Sequence, residues 1–170
     1  MKISENKGNA AVIVVVIFIA GIVMFIFPLM TIAEKKDDTT QLEAQKIVTE
    51  YVNKWRTTAY VTQEDWDNLQ LSLGATGRAY RVEATVQILD ENSAKKSGGL
   101  KAGDSSYYTM YTTQIENQLP LDLKDGDIIY LEATTTDESI YDQLKGWAGR
   151  ITGQNSRNVK DGGMVTGAAK

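Results

Sequence analysis

Two residue types that serve much of enzyme and metal chemistry are missing from this chain: it has no cysteine and no histidine among its 170 residues. Disulfides, thiolate and imidazole metal ligands, cysteine nucleophiles and Ser-His-Asp triads are therefore excluded. The net charge is only −4, so the basic excess typical of nucleic-acid-binding proteins is lacking as well. We therefore expect a protein that is not an enzyme and that binds no cofactor, no small-molecule substrate and no nucleic acid.

What the chain does contain is a long apolar run, from Ala10 to Ala33, without a single charged residue. As a helix rising about 1.5 Å per residue, a run of this length crosses the ~30 Å of hydrocarbon in a bilayer. A secretory signal peptide has a shorter apolar core and a small-residue cleavage site after it, whereas Glu34-Lys35-Lys36 follow here. We therefore expect a retained transmembrane helix over residues 9–33. Lys2 and Lys7 balance the two lysines beyond the run, so charge alone leaves the orientation open.

A helical period of about 3.6 residues follows the apolar run and predicts an amphipathic stalk helix over residues 34–60. Charged and polar side chains take the opposite face of this helix. The polar residues from Asp37 to Thr40 leave two possibilities open, a break in the helix or one continuous helix that joins span and stalk. The apolar face of the stalk consists of Ala44, Ile47, Val48, Tyr51, Val52 and Trp55.

Residues 61–153 have the pattern of a small α+β head domain. Thr62, followed by acidic residues, predicts the N-cap of a short helix that ends at Gly74 or Gly77. Alternating apolar and polar residues from Tyr80 to Ile88 predict a strand with one buried face. Two further strands are predicted over residues 105–115 and 127–136.

The rest of the chain is expected to form one more helix and a tail. Thr136 or Asp137 can cap a helix that runs up to Gly153, whereas residues 154–170 are rich in glycine, lack a period and predict a flexible tail. The predicted fold class is therefore α+β: a long N-terminal helix, transmembrane and then amphipathic, packed on a small antiparallel sheet of about three strands, with a short helix and a C-terminal helix. The apolar face of the C-terminal helix is Ile140, Leu144, Trp147 and Ile151.

The first residues have the arrangement of a processed leader. A short charged segment, residues 1–8, ends in Lys7-Gly8, and Asn9 precedes the apolar run that passes into an amphipathic helix. This resembles the type IV pilin-like proteins, and most closely the TadE-like pseudopilins of Tad pili, over residues 1–60. The resemblance implies cleavage between Gly8 and Asn9 by a prepilin peptidase. It also implies a single-pass membrane protein with its C-terminal domain outside the cytoplasm, which associates with itself or with other pilin-like subunits in a surface filament.

Ile13 departs from the pattern of that family. At this position, the fifth after the cleavage site, the family usually carries a glutamate that neutralises the amino terminus of a neighbouring subunit. A minor or priming subunit, which need not add onto a subunit below it, tolerates this loss better than a major pilin. The resemblance therefore implies a minor pilin or pseudopilin. The alternative is a non-polymerising, membrane-anchored binding module of a cell-envelope secretion or conjugation complex.

Two sets of residues are candidate assembly contacts. Within the span, Ala10, Ile13, Gly21 and Pro28 are the candidates for helix–helix assembly, and proline tends to kink a membrane helix. In the second predicted strand, three tyrosines are candidates for an interface because aromatic residues are enriched there, although strand propensity explains them equally well. These tyrosines are Tyr107, Tyr108 and Tyr111.

Asp125 and Asp127 form an acidic pair within the segment Leu121 to Asp127. Asp125-Gly126 is a turn signal before the third predicted strand. If Gly126 is placed at the glycine position of a calcium loop, the first and third ligand positions hold leucine. The segment is therefore predicted to be a turn and not a calcium site.

Overall fold

The computed structural model describes residues 4–90, 106–147 and 157–167. The chain divides into two compact units, the first comprising Met1–Asp38 with Ser139–Gln154 and the second Thr39–Glu138 with Asn155–Lys170. The helices of the described ranges are α1 (Ser4–Thr58), α2 (Gln63–Ala75), α3 (Thr112–Asn117) and α4 (Ile140–Trp147). The strands are β1 (Tyr60–Val61), β2 (Tyr80–Asp90), β3 (Ser106–Tyr111), β4 (Leu121–Asp122), β5 (Ile128–Thr135) and β6 (Asn158–Met164).

α1 is one helix of 55 residues that contains both the apolar run and the stalk. The polar residues from Asp37 to Thr40 do not interrupt it, so of the two possibilities the continuous helix is correct. In the second unit the apolar face of the stalk is enclosed, with Val48, Val52 and Trp55 fully buried. Burial of an apolar side chain of this kind contributes about 1.5–3 kcal/mol. The stalk is therefore a structural part of the second unit's core.

α1 ends at Thr58 because the next residue, Ala59, adopts a left-handed backbone conformation with a φ of 52°. The N–H of Ala59 still donates to the carbonyl of Trp55 at 2.9 Å, as is usual for a residue that closes a helix. The hydroxyls of Thr57 and Thr58 both donate to the carbonyl of Lys54, at 3.0 and 2.8 Å. The carbonyls of Lys54 and Trp55 are thus occupied before the chain enters β1, which pairs antiparallel with β4.

α2 begins where the sequence predicts, with Thr62 as its N-cap. The Thr62 hydroxyl accepts a hydrogen bond from the N–H of Asp65 at 2.9 Å, which confirms the prediction. The ring of Trp66 stacks on Trp55 of α1, with centroids 6.1 Å apart and planes inclined by 21°. The Lys54 ammonium donates to the Asp65 carboxylate at 2.6 Å. This hydrogen bond raises the pKa of Lys54 above its ordinary value, against the smaller effect of burial. Both contacts fix α2 on α1.

The main sheet has four antiparallel strands in the order β3-β2-β5-β6. Its inner face lies in the core, where Val86 stands opposite Ile129 and Ala84 opposite Leu131, all four buried. We call the opposite side of this sheet the outer face. The α+β prediction is confirmed, since the long helix packs on antiparallel sheets and further helices follow. The main sheet has one strand more than predicted, because β6 joins it.

The second predicted strand ends earlier than expected. It was predicted over residues 105–115, but β3 stops at Tyr111 and α3 begins at Thr112. The Thr112 hydroxyl accepts from the N–H of Ala84 at 2.9 Å and donates to its carbonyl at 3.2 Å, so a side chain takes the place of the next ladder pair. Gln114 then caps the new helix by accepting from the N–H of Tyr111 at 3.0 Å. This turn directs Ile115 into the core.

Residues 158–164 form β6, so the prediction of a flexible tail is wrong for this segment. β6 pairs with β5 from Asn158, opposite Thr134, to Met164, opposite Ile128. Val159 in this strand and Val165 just after it are buried in the core. The segment is therefore the fourth strand of the sheet rather than an appendage to it.

The chain after β6 is held against the end of α1 by a group of contacts that we call the Arg56 clasp. The carbonyl of Arg56 accepts from the N–H groups of Thr166 and Gly167, both at 3.0 Å, and its Nε donates to the carbonyl of Met164 at 2.8 Å. Glycine is required at position 167, because a Cβ there would strike the backbone of Thr57. The clasp also occupies the carbonyl of Arg56 near the C-terminal end of α1, where helix carbonyls lack partners within the helix.

Asp127 follows the turn at Asp125-Gly126 and is almost fully buried. Gly126 has a φ of 95°, which confirms the turn and explains the glycine. The two carboxylate oxygens of Asp127 accept from the N–H of Leu89 at 2.9 Å and from the N–H of Lys124 at 2.8 Å. The two acidic residues therefore have different roles. The Asp127 carboxylate links the backbone at Leu89 to that at Lys124, whereas Asp125 is exposed.

We expect Asp127→Ala to destabilise the second unit by about 2–4 kcal/mol, because two charge-assisted hydrogen bonds of a buried carboxylate are lost. The measurement is the denaturant midpoint followed by tryptophan fluorescence. Asp125→Ala is the matched control and should change stability by less than about 0.5 kcal/mol, as an exposed substitution does. Equal effects of the two substitutions would contradict the stabilising role of the Asp127 hydrogen bonds.

α4 begins one turn later than the predicted caps suggest. Its N-cap is Ser139, whose hydroxyl accepts from the N–H of Asp142 at 3.0 Å, and not Thr136 or Asp137. Asp137 is instead engaged with Arg78, whose Nε lies 3.0 Å from its carboxylate. The predicted continuation of this helix through Ile151 to Gly153 lies outside the described residues, as do residues 91–105 between β2 and β3.

Candidate functional site

The first candidate surface is the uncharged run of α1 from Ala10 to Ala33, which we call the apolar half of α1. From Ala10 onward its side chains are mostly exposed, including Met24 at 76% and Phe25 at 74%. The helix is long and apolar enough to cross a membrane. A contiguous exposed apolar surface of this length marks contact with lipid or with other apolar surfaces. The predicted membrane-spanning segment is thus part of one continuous helix that is long and apolar enough to cross a membrane.

The predicted assembly residues all lie in this helix. The backbones of Gly8 and Asn9 lie inside α1, directly before the apolar run. Ala10 and Ile13 are exposed, and a Cβ added to Gly21 would meet nothing within 4 Å. These positions are therefore free of close contacts within the described part of the chain, which leaves them accessible to lipid or to another helix.

Pro28 lies within α1 without ending it. A proline in a helix removes one backbone N–H and leaves a carbonyl without its usual partner. Nearby, the hydroxyl of Thr31 donates to the carbonyl of Phe27 at 3.1 Å. This bond gives the Thr31 hydroxyl a partner within the helix. The carbonyl that Pro28 deprives of its usual donor is that of Met24, four residues earlier.

The second candidate surface is the outer face of the main sheet. Tyr107 and Tyr111 of β3 point to this side, whereas Tyr108 alternates to the other side with the buried Met110. The three predicted tyrosines are all exposed but are not brought together on one face. Sequence reasoning also missed Tyr130 of β5.

Tyr130 belongs to the same face as Tyr111, since both stand opposite Thr85 of the strand between them. Its alternation with the buried Ile129 and Leu131 was the signal that could have identified it. On its other side stands Gly162 of β6, where an added Cβ would meet the Tyr130 ring. The glycine lets the ring lie flat across the neighbouring strand, an arrangement that also protects the glycine backbone.

Beside Tyr130, the outer face has an open depression of about 450 Å³. Glu83 and Glu132 stand directly opposite each other across it, with Lys160 opposite Glu132 on the far strand. Like charges directly opposite are unfavourable, and Lys160 together with a 2.9 Å bond from the Asn158 amide to Glu132 offsets part of this cost. The depression is open and has charged residues among its lining, unlike the enclosed apolar pockets that bind small ligands.

Within residues 4–90, 106–147 and 157–167, no cluster of three or more acidic side chains is placed to hold a metal ion. Comparison with protein-family models, with curated proteins and with solved structures found no match for this chain. The apolar half of α1 and the outer face are accordingly the two structural features from which a function can be argued.

Proposed function

We propose that this protein is a minor pilin-like or pseudopilin-like structural subunit of a Tad or type IV-like pilus or secretion filament. The observation that supports the proposal most is α1: 55 continuous residues, apolar and uncovered in the first part and buried in an α+β unit in the second. The subunit is held in the membrane by this helix and assembles through it, with its C-terminal part outside the cytoplasm.

The physical basis of the proposal is the mismatch between the apolar half of α1 and water. A helix that is apolar on every side needs lipid or other apolar helices around it. A bilayer supplies lipid before assembly, and the equivalent helices of neighbouring subunits supply the same environment in a filament. Because Val52 and Trp55 of the same helix are fully buried in the second unit, that unit moves with the helix when the helix leaves the membrane.

A second candidate function is favoured by Ile13. An exposed isoleucine at this position cannot neutralise the amino terminus of a neighbouring subunit, as a glutamate does in pilins. A chain that does not polymerise has no need of that carboxylate. On this alternative the protein is a single-pass, membrane-anchored binding module of a cell-envelope secretion or conjugation complex, and the outer face with Tyr107, Tyr111 and Tyr130 is its partner surface.

The first test is the intact mass and N-terminal sequence of the protein recovered from its native cells. Processing by a prepilin peptidase gives a chain that begins at Asn9, and Gly8→Leu is expected to block it. Gly21→Leu is the matched control, since a side chain at Gly21 meets nothing nearby within the described part of the chain. A wild-type chain that still begins at Met1 contradicts the filament proposal and favours the anchored module.

The second test asks whether the helices of different subunits meet. Because the chain has no cysteine, Val16→Cys places a single thiol on the exposed apolar half of α1. Oxidation in native cells is expected to give a disulfide-linked dimer if subunits stack through this helix. Leu71→Cys, on an exposed position of α2, is the control for random collision. If Val16→Cys gives no more disulfide-linked dimer than Leu71→Cys, assembly through α1 at this position is contradicted.

A further inference from the structure

α4 begins beside the point where the apolar run of α1 ends. The hydroxyl of Tyr141 in its first turn lies 3.4 Å from a carboxylate oxygen of Glu34. Glu34 is the first charged residue after the run that closes at Ala33. This distance is long for a hydrogen bond between two oxygens, so we use it only to locate Tyr141 beside Glu34. In a bilayer crossed by the run, residue 34 lies at the level of the headgroups, and Tyr141 lies there with it.

Three residues of α4 are of types that proteins use at a membrane surface: Ile140, Tyr141 and Lys145. Ile140 is 59% exposed although it is a large apolar residue. The ammonium of Lys145 lies 4.2 Å from the centroid of the Tyr141 ring, so an aromatic residue and a long cation stand side by side. Tyrosine is enriched at both membrane–water interfaces, and lysine extends its charge from apolar surroundings into water there.

The first turn of α4 has a side-chain cap that suits a position at a membrane surface. The Ser139 hydroxyl accepts from the N–H of Asp142 at 3.0 Å and donates to its carboxylate at 2.8 Å. The cap satisfies a backbone donor that would otherwise need water. The first turn of the helix can therefore enter a partly dehydrated layer without leaving this group unpaired.

We infer that α4 is a lipid-contacting helix that lies on the surface of the bilayer crossed by α1, with Ile140 inserted at the boundary between headgroups and acyl chains. The inference rests on the membrane anchoring in the proposed function and extends it to a second contact with the same membrane. The charges nearby are of both signs, with Glu34, Lys35 and Lys36 on α1 and Asp142 and Lys145 on α4. A zwitterionic lipid is therefore sufficient, and the contact is apolar rather than electrostatic.

The absence of cysteine allows the test to use the full chain with one spin label at a time. Labels are placed by Ile140→Cys, by Ile19→Cys within the apolar run and by Leu71→Cys on α2. Leu71 is 72% exposed and serves as the apolar control matched to Ile140. The protein is reconstituted in phosphatidylcholine nanodiscs, and the accessibility of each label to oxygen, which is enriched in lipid, is compared with that to a water-soluble nickel chelate.

We expect the oxygen-to-nickel ratio to be highest for Ile19→Cys, lowest for Leu71→Cys, and at least several-fold higher for Ile140→Cys than for Leu71→Cys. A ratio for Ile140→Cys equal to that of Leu71→Cys, with Ile19→Cys still in lipid, overturns the inference and leaves the anchoring intact. A ratio for Ile19→Cys typical of water overturns the anchoring itself.

A second label guards against local damage by the first substitution. Gln143→Cys, three residues further along and on a neighbouring part of the helix surface, replaces an exposed polar residue. It should also give a ratio above that of Leu71→Cys. Thermal melting of each labelled protein verifies that the substitution has not changed the fold, and a water-like ratio at both Ile140 and Gln143 in a folded protein overturns the inference.

Discussion

Deletion of residues 157–170 is expected to unfold the second unit. The deletion removes β6, the buried side chains of Val159 and Val165, and the Arg56 clasp. Two buried valines alone contribute about 3–6 kcal/mol, and the edge of β5 loses its partner along seven residues. Since a typical domain is stable by only about 5–15 kcal/mol, we expect no cooperative folded state to remain.

The full chain in detergent is the object of this measurement, because detergent covers the exposed apolar residues of α1 from Ala10 to Ala33. Tryptophan fluorescence during urea titration reports the second unit through Trp55 and Trp66, which are buried in it, alongside Trp147 of the first unit. A chain that lacks only residues 168–170 is the control, because it separates the loss of β6 and the Arg56 clasp from the loss of the last three residues. An unchanged transition after the longer deletion would show that β6 contributes nothing to the fold.

Trp55→Ala is expected to cost about 3–5 kcal/mol of unfolding free energy, the range found for removal of a buried large aromatic side chain. Trp55 is fully buried at the end of the stalk, where it stacks on Trp66 and meets the edge of Tyr51 with centroids 5.9 Å apart. Its removal takes away the ring contact between α1 and α2 and leaves a cavity there. The measurement is the urea midpoint of the second unit, followed by circular dichroism in the near ultraviolet.

Trp55→Phe distinguishes the loss of packing from the loss of a polar group. Within the described residues the indole N–H of Trp55 is buried without a hydrogen-bond partner, a state that itself costs free energy. Phenylalanine keeps most of the ring and removes this donor, so we expect its effect to be less than half that of alanine. If phenylalanine destabilised as much as alanine, the indole N–H would have to contribute favourably, which would contradict its unpaired state.

The elements that the sequence predicts well are those whose pattern is local. The stalk face from Ala44 to Trp55, the cap at Thr62 and the alternation in β2 each repeat with the period of one helix or one strand, and the burial of those side chains follows the pattern. α3 is different, because the strand propensity before it continues smoothly and only the contact of Thr112 with Ala84, distant in sequence, ends the strand.

β6 could not be found in this way, because its sequence contradicts its structure. Asp161, Gly162 and Gly163 are poor strand formers, and glycine in a strand weakens it. The glycines are required by close neighbours. A Cβ at Gly162 would strike the Tyr130 ring, and a Cβ at Gly163 would strike the Arg56 guanidinium. These requirements come from residues far away in the chain. A composition that suggests a loose tail is therefore the composition that a crowded strand needs.

The candidate surfaces show the same division. An apolar run is visible in sequence because its whole signal lies in consecutive residues, and the uncovered half of α1 matches it. The outer face was predicted only in part, because its tyrosines come from β3 and β5, which are separated by β2. Strand order is a property of the folded sheet, so Tyr130 joins Tyr111 only when the register of three strands is known.

The Arg56 clasp has a mechanical consequence. The chain after β6 is tied to the end of α1 by two backbone hydrogen bonds and one from a guanidinium group. A pull on α1 therefore reaches β6 directly, and through its ladder reaches β5 and β2. The load is shared among hydrogen bonds that must break together rather than passing along the covalent chain through Ala59 alone. When the stalk of α1 is pulled, the second unit is therefore expected to resist as one folded piece rather than to unravel from Ala59.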